Sequence, residues 1–281
     1  MKAKKTMRVI QSNFLIEARF NLTLPQLKLF LFMIKEININ DRVFQTYRIF
    51  IKDFLEESKS KHYDLYTKAD NITDIFMTHI LRSKKDDGSI GKVCLMSYCN
   101  YKDGRGYIEY RFDKDLIPHL LRLKEQFTSY DIANIINCRS TYSIRIYQIL
   151  KEYEALGERT IAVKDLKEML MVENEYKRFY DFKVNVIDKA CRELKGKQKN
   201  KIKSDLYFEY ELNKEGRATE SITFIIKKRK QQRLFDGKTD PTLADAKPAA
   251  SYHKSADVKL EELKEAGKDA VPMPQKLKER L

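Results

Sequence analysis

A dense group of basic side chains between residues 177 and 203 is the part of this sequence best suited to binding chemistry. It contains ten Lys or Arg residues and three acids, a local excess of +7, half of the chain's net charge of +14. Arginine and asparagine can make paired hydrogen bonds with base edges, and lysine suits phosphate oxygens. The group therefore indicates nucleic-acid binding, and the alternative is a solvated charged face.

These basic residues accompany an apolar stripe with helical spacing, which predicts a helix over residues 176–195. The stripe consists of Phe179, Phe182, Val186, Ala190 and Leu194. The side chains expected to project away from it are Arg178, Asn185, Lys189 and Arg192, and of these the arginines and the asparagine suit base edges. The side chains expected to meet phosphates are Lys177, Lys195, Lys197, Lys199 and Lys201.

Three further residues of this helix are harder to assign. Lys183 is counted among the DNA-binding candidates, although an ideal helical wheel places it near the apolar stripe. Asp181 and Asp188 lie on the outward face. Either one of these acids accepts from a cytosine amino group, or both orient neighbouring arginines.

The elements around the basic helix predict the scaffold that positions it. An amphipathic helix begins near Ser140 and runs to about residue 156, followed by a strand over 160–163 and a helix over 164–171. After the basic helix, alternating residues predict a hairpin with strands 205–212 and 219–227. Its turn holds Gly216 and Arg217, and Arg217 is a further DNA-binding candidate.

The same order of elements occurs earlier in the chain. A short helix is predicted over 13–18, and Thr23 caps a second helix that has Pro25 in its first turn. A strand over 47–51, a helical turn over 53–56 and a longer helix over 63–82 follow. Strands over 92–100 and 107–112 enclose a glycine-bearing turn with Arg105, which we also count as a DNA-binding candidate.

The two copies are related by an offset of 112 residues. At this offset residues 49–56 align with residues 161–168, and Gly104-Arg105 falls on Gly216-Arg217. Phe112 falls on Phe224 at the same offset. Matches so far apart favour an internal duplication over convergence on a common strand–turn–helix shape.

A helix-turn-helix closed by a β-hairpin is a winged helix, so the sequence predicts an α+β fold with two tandem winged-helix domains. We expect an N-terminal domain over 1–126, a C-terminal domain over 127–228 and a disordered tail over 229–281, with a joining segment near 123–138. The third helix of such a unit fits the major groove of double-stranded DNA, and the hairpin reaches the flanking backbone.

The two long helices differ in charge. In the first, Lys61, Lys68 and Arg82 are offset by three acids, Asp64, Asp70 and Asp74. The fold therefore does not require the positive charge of the second helix. We expect the C-terminal domain to dominate DNA contact and the N-terminal domain to assist or to act differently.

Composition argues against catalysis. The four cysteines form no CxxC pair and the four histidines are dispersed, so no zinc site is expected. No GxxxxGK[ST] phosphate loop occurs, and no His-x-His pair lies near a tyrosine as a rolling-circle nuclease would need. With no apolar run of roughly 18 residues, the expectation is a cytoplasmic binding protein that uses no cofactor.

Several motifs resemble the initiator replication proteins of iteron-containing bacterial plasmids. The opening Asn13-Phe14-Leu15 and the helix after it are similar to the start of that family. Residues 140–150 resemble the family's Ser-x-Tyr-x-x-Arg-x-Tyr helix. Tyr176, Phe179 and Phe182-Lys183, with Ala190 and Glu193-Leu194, follow its recognition-helix pattern, although the family is usually richer in arginine after the matching phenylalanine.

The resemblance, which covers about residues 8–228, implies a specific function. It implies binding of directly repeated origin sequences, with the C-terminal domain reading the major groove. It also implies a monomer that initiates replication, a dimer that represses it through contacts in the first domain, and host replication proteins as possible partners. A transcriptional regulator built from the same domains is the main alternative, and a single-stranded nucleic-acid binder is a weaker one.

Overall fold

A computed structural model describes residues 8–38, 40–58, 64–84, 89–102, 104–196 and 204–229. The tail expected over 229–281 therefore lies, apart from Arg229, outside the described residues. The elements of the first half are β1 (Arg8–Ser12), α1 (Asn13–Glu17), α2 (Leu24–Lys35), β2 (Tyr47–Phe50), α3 (Ile51–Glu57), α4 (Asp64–Thr78), β3 (Ile80–Lys84), β4 (Ile90–Cys94), β5 (Met96–Lys102), β6 (Tyr107–Phe112) and α5 (Ile117–Leu120).

The second half repeats the order of helices and wing. Its elements are β7 (Phe127–Asp131), α6 (Thr141–Glu152), β8 (Glu158–Ala162), α7 (Val163–Met169), α8 (Phe179–Phe182), a π-helical turn (Lys183–Ile187), α9 (Asp188–Lys195), β9 (Leu206–Glu215) and β10 (Ala218–Lys228). We refer to the continuous helical segment from α8 through α9 as the basic helix.

Both halves build the same three-stranded antiparallel sheet. In the first, β6 lies between β2 and β5, and in the second β10 lies between β8 and β9. Each wing turns at a glycine with positive φ, +71° at Gly104 and +62° at Gly216, a conformation that residues with a Cβ rarely adopt. The α+β fold with two tandem winged helices is therefore confirmed.

The offset of 112 residues relates equivalent elements of the two halves. Helix α7 begins and ends 112 residues after α3. Phe112 and Phe224, paired by the same offset, lie on the central strands β6 and β10 and are 1% and 0% exposed. The matching positions are thus mainly core positions and wing turns.

The sequence places α2 correctly because its start carries strong local signals. Thr23 and Gln26 form a capping box, in which the Thr23 N–H donates to Gln26 Oε1 at 2.9 Å, and Pro25 occupies the first turn. The helix predicted to begin near Ser140 is also confirmed as α6, but it ends at Glu152 and not near residue 156.

Two predictions for the first half were wrong. The helix expected over 63–82 ends at Thr78, and its last residues belong to strand β3. The strand expected over 92–100 is two strands, because β4 pairs with β3 and β5 pairs with β6. This extra β3–β4 hairpin precedes the wing, so the first half departs from the second at this point.

The joining segment expected near 123–138 contains a strand. β7 pairs in antiparallel fashion with β1 at the start of the described chain, with Arg8 opposite Asp131. The boundary expected at residue 126 therefore falls between the two strands of one small sheet.

The halves also contact each other through buried charged side chains. Arg145 of α6 is 3% exposed, its Nη2 donates to the Ala18 carbonyl at 2.9 Å, and its guanidinium lies 4.3 Å from the centre of the Phe20 ring. Arg159 of β8 pairs with Glu17 of α1. These contacts fix the end of α1 and the segment after it against the second winged helix.

Candidate nucleic-acid interface

The basic helix has one buried face and one exposed face. Phe182, Val186, Ile187, Ala190 and Leu194 are each 0% exposed and hold the helix on the second core. The exposed face carries the side chains that the sequence assigned to DNA: Lys177, Arg178, Asn185, Lys189, Arg192 and Lys195. Packing of the apolar stripe thus leaves these groups in solvent.

The helix begins at Phe179, three residues later than predicted, and contains a π-helical turn that the sequence analysis missed. Phe182, Val186, Ala190 and Leu194 are spaced by four residues, and such positions drift by about 40° per step around an ideal α-helix. The wider ring of a π turn counters that drift and keeps the four residues on the core. In the sequence, the strict spacing of four between these apolar residues was the signal that could have indicated the π turn.

The first cation of the helix is held by a neighbouring acid. Arg178 Nε and Nη2 donate to the two carboxylate oxygens of Asp181 at 2.7 and 2.9 Å, although the arginine side chain is 78% exposed. The Asn185 side-chain amide donates to the Asp181 carbonyl at 2.9 Å. Asp181 therefore orients the guanidinium and lies next to the asparagine in a single cluster.

The second acid, Asp188, joins the helix to the wing. Its carboxylate accepts from Lys183 Nζ at 3.0 Å and from the Tyr210 hydroxyl of β9 at 2.5 Å. Burial raises the pKa of Asp188, but these hydrogen bonds outweigh it and hold the pKa below its usual value. Lys183 thus lies between helix and wing, with its side chain 29% exposed.

The C-terminal end of the helix is held by a residue that the sequence analysis left unassigned. Arg229 donates to the carbonyls of Leu194, Lys195 and Ser204 at 3.2, 2.5 and 3.0 Å. Its guanidinium lies 4.5 Å from the centre of the Tyr207 ring. Arginine suits this place because the last carbonyls of a helix lack intrahelical donors and carry partial negative charge.

Replacing Arg229 with alanine is expected to lower the free energy of unfolding by about 2 kcal/mol, because three charge-assisted hydrogen bonds are lost. Urea denaturation of the full chain measures this loss. The neighbouring Lys228 is exposed, so Lys228→Ala is the matched control and should change stability by less than about 0.5 kcal/mol. Equal losses in the two variants would contradict the capping role.

The remaining candidates are dispersed. Arg217 and Arg105 are exposed in the turns of the second and first wings, next to the positive-φ glycines. Lys195 is half exposed, with its Nζ 3.8 Å from a Glu209 carboxylate oxygen. Lys197, Lys199 and Lys201 lie outside the described residues.

One exposed aromatic on the basic helix was also missed. Tyr180 is 68% exposed, the largest value among the exposed large hydrophobic residues of the described chain. It follows Arg178 by two residues and lies off the apolar stripe. In the sequence, only its position outside the apolar stripe indicated that Tyr180 would be exposed.

The matching helix of the first half has a different surface. The exposed residues of α4 from position 69 onward include Asp70, Asn71 and Asp74, with Met77 39% exposed. Lys61, one of the cations counted for this helix, lies outside the described residues, and Arg82 belongs to β3. The described part of this face is acidic or neutral.

In the described ranges, no group of three or more His, Cys, Asp and Glu side chains could hold a metal ion. Among the helices of the same ranges, none is long and apolar enough to cross a membrane.

Two winged helices in tandem, the second with a cationic helix exposed beside its wing, define a tandem winged-helix protein of the DNA-binding class. The chain belongs to the initiator replication protein family. The family's first winged-helix model matches residues 8–151, and its second matches residues 162–226. The family resemblance drawn from the sequence is thereby confirmed.

Curated relatives match parts of the chain. A replication initiation protein of Escherichia coli is 27% identical over 146 residues, which are 50% of this chain and 43% of that protein. A PI protein of Escherichia coli is 28% identical over 119 residues, 37% of this chain and 39% of that protein. The matches thus span less than half the length of these relatives.

A crystal structure of a Pi initiator protein in complex with iteron DNA has the same fold. The superposition has a TM-score of 0.68 at 19% identity and covers 82% of this chain and 100% of that one. At this identity the likeness concerns the fold.

Proposed function

We propose that this chain initiates replication of a bacterial plasmid by binding directly repeated double-stranded origin sites. The observation that carries the proposal is the exposed cationic face of the basic helix, presented by a winged helix in a member of the initiator family. The structural neighbour bound to iteron DNA supports the choice of repeated sites. The chain then acts as a binding protein without a cofactor.

The basic helix reads the major groove in this proposal. Asn185 and Arg192 are exposed on its outer face and can reach base edges. Arg178 is already oriented by Asp181, so little side-chain entropy is lost when it binds a guanine edge or a phosphate. Lys177 and Lys195, at the two ends of the helix, meet the phosphate backbone.

In the same proposal, Lys183 positions the basic helix relative to the wing. Its contact with Asp188 ties the basic helix to Tyr210 of the wing. A fixed angle between helix and wing sets where Arg217 meets the flanking backbone. The segment between the basic helix and the wing adds contacts to the DNA backbone through Lys197, Lys199 and Lys201.

The N-terminal domain, 1–126, has the assisting role. The described part of the exposed face of α4 is acidic or neutral and so poorly suited to phosphates, and this domain contributes DNA contact mainly through Arg105 at its wing. We assign to it the contacts of a homodimer in equilibrium with the monomer. The C-terminal domain, 127–228, carries recognition, and host replication proteins in the cytoplasm are further partners of the chain.

Base readout and backbone contact can be separated by substitution. Arg192→Ala should change sequence preference and cost about 1–3 kcal/mol on the cognate repeat but little on unrelated DNA. Lys195→Ala is the control, since loss of a phosphate contact should weaken cognate and unrelated DNA alike. Titration of both variants against the two duplexes measures this difference, and a uniform loss with Arg192→Ala would remove that residue from base readout.

Initiation itself is tested in cells. A plasmid that carries the gene and directly repeated sites beside it should be lost when the gene is deleted and retained when the chain is supplied in trans. Retention without the chain, together with altered transcription of a neighbouring gene, would instead identify a regulator.

A further inference from the structure

A cavity of about 290 Å³ lies where the two halves of the chain meet. Its wall is formed by the start of α2, the start of α6 and the residues that follow α7. Ligand pockets for drug-sized molecules begin near this volume. The cavity therefore suits a small ligand.

The charged residues that line this cavity are mainly cationic. Arg139, Arg145 and Lys189 contribute to its wall, and Glu175 is the one acid among the lining residues. The Glu175 carboxylate accepts a hydrogen bond from the Tyr142 hydroxyl at 3.1 Å. The balance of charge favours an anion.

The N-terminus of α6 adds to this preference. The helix has 12 residues, and the side chain of its N-cap residue, Ser140, makes no capping hydrogen bond. The first N–H groups of a helix lack intrahelical acceptors, and they attract anions together with the helix dipole. Ser140 and Thr141 both line the cavity.

The side chain of Arg145 is an independent observation that points to an anionic ligand. It lines the cavity and is 3% exposed, yet its buried Nε has no hydrogen-bond partner among the described residues. A buried donor without an acceptor costs free energy. Burial also lowers the pKa of Arg145 to about 10, and a nearby anion would offset that cost of desolvation.

We propose that this cavity binds a single phosphate group through Arg139, Arg145, Lys189 and the N-terminus of α6. The phosphate comes either from the DNA backbone or from a free phosphorylated compound. The first source rests on the proposed function and has geometric support. Lys189 belongs both to the exposed face of the basic helix and to the cavity wall, so the cavity opens beside the proposed DNA-binding face.

The test uses Arg139→Gln in the full chain. The Arg139 side chain is exposed, and it is the backbone N–H of this residue that donates to Glu193, at 3.0 Å, so the variant keeps that contact. Arg42→Gln removes the same charge from an exposed residue that does not line the cavity and is the matched control. Lys189→Gln, on another element, is a second cavity variant.

The first arm tests a free phosphate without DNA. Inorganic phosphate is compared with chloride at equal ionic strength, and the thermal unfolding midpoint is measured. A bound ligand raises this midpoint. For a free phosphate site, the rise should be the same in wild type and Arg42→Gln and much smaller in Arg139→Gln and Lys189→Gln.

The second arm tests a backbone phosphate. Single phosphates of a repeat-containing duplex are replaced in turn by uncharged methylphosphonate. One substitution should weaken wild type and Arg42→Gln about tenfold, as expected for one charge-assisted contact. The same substitution should have little further effect on Arg139→Gln, because the contact is already lost.

The outcomes separate this proposal from the proposed function. A difference between Arg139→Gln and Arg42→Gln in either arm supports the phosphate site and names its source. Equal behaviour of the two variants in both arms overturns it. Failure of wild type to bind repeated DNA would contradict the proposed function, and the first arm would still decide the phosphate site.

Discussion

Raising the salt concentration from about 50 mM to about 200 mM is expected to weaken binding of this chain to its DNA sites by about three to five orders of magnitude, given roughly 6–10 phosphate contacts. The cause is the release of counterions when Lys and Arg side chains neutralise phosphates. The chain carries 55 Lys and Arg against 41 Asp and Glu, and much of that excess lies on and beside the basic helix. A plot of log K against log salt concentration measures the effect.

The slope of this plot can be assigned to particular residues. Lys177 is exposed just before the basic helix, and Lys177→Gln should reduce the slope by about one. Arg42→Gln removes a charge from the loop between α2 and β2 and should leave it unchanged. A flat plot for wild type would rule out binding dominated by phosphate contacts.

Replacing Arg159 with alanine is expected to lower the free energy of unfolding by about 3–5 kcal/mol, because it removes one partner of a buried ion pair. Arg159 is 8% exposed, and its Nη1 donates to the Ile149 carbonyl at 3.1 Å and to Glu152 Oε2 at 3.3 Å. The Glu152 side chain is only 2% exposed, so its charge would lose this cation inside the protein. Chemical denaturation of the full chain measures the change.

An exposed arginine pair is the control for this loss. Arg48 Nε donates to Glu109 Oε1 at 2.8 Å, but the arginine side chain is 61% exposed. Arg48→Ala should therefore lower the free energy of unfolding far less than Arg159→Ala does. A loss for Arg159→Ala as small as this would show that the buried pair of Arg159 and Glu152 contributes little to stability.

The sequence predicted the elements whose signals are local. Thr23 and Pro25 mark the start of α2, and the two wing turns carry glycines where a positive φ is needed. The β1–β7 pair was not predicted, because its two strands are far apart in sequence. The β3–β4 hairpin is local and was missed because its first strand was assigned to the end of a helix. Ile80 and Leu81 continue the apolar pattern of α4, so the helix predicted from that pattern was too long.

For the candidate interface, the sequence likewise predicted the local features but not the contacts between distant residues. Charge and helical periodicity were sufficient to place Arg178, Asn185 and Arg192 on the exposed face. They could not reveal that Asp188 binds Tyr210, since that contact joins residues of the helix and the wing. The role of Arg229 was hidden for the same reason, because its acceptors lie 25 to 35 residues earlier.

The pairing of β1 with β7 has a consequence for synthesis of the chain. Gln11 of β1 and Tyr130 of β7 are joined by a side-chain hydrogen bond across 119 residues of sequence. Domains generally fold as units while the chain is being made, and contacts between distant residues form slowly. β1 must therefore wait without its partner until residue 131 has left the ribosome, so the β1–β7 sheet forms only after synthesis of the second half has begun.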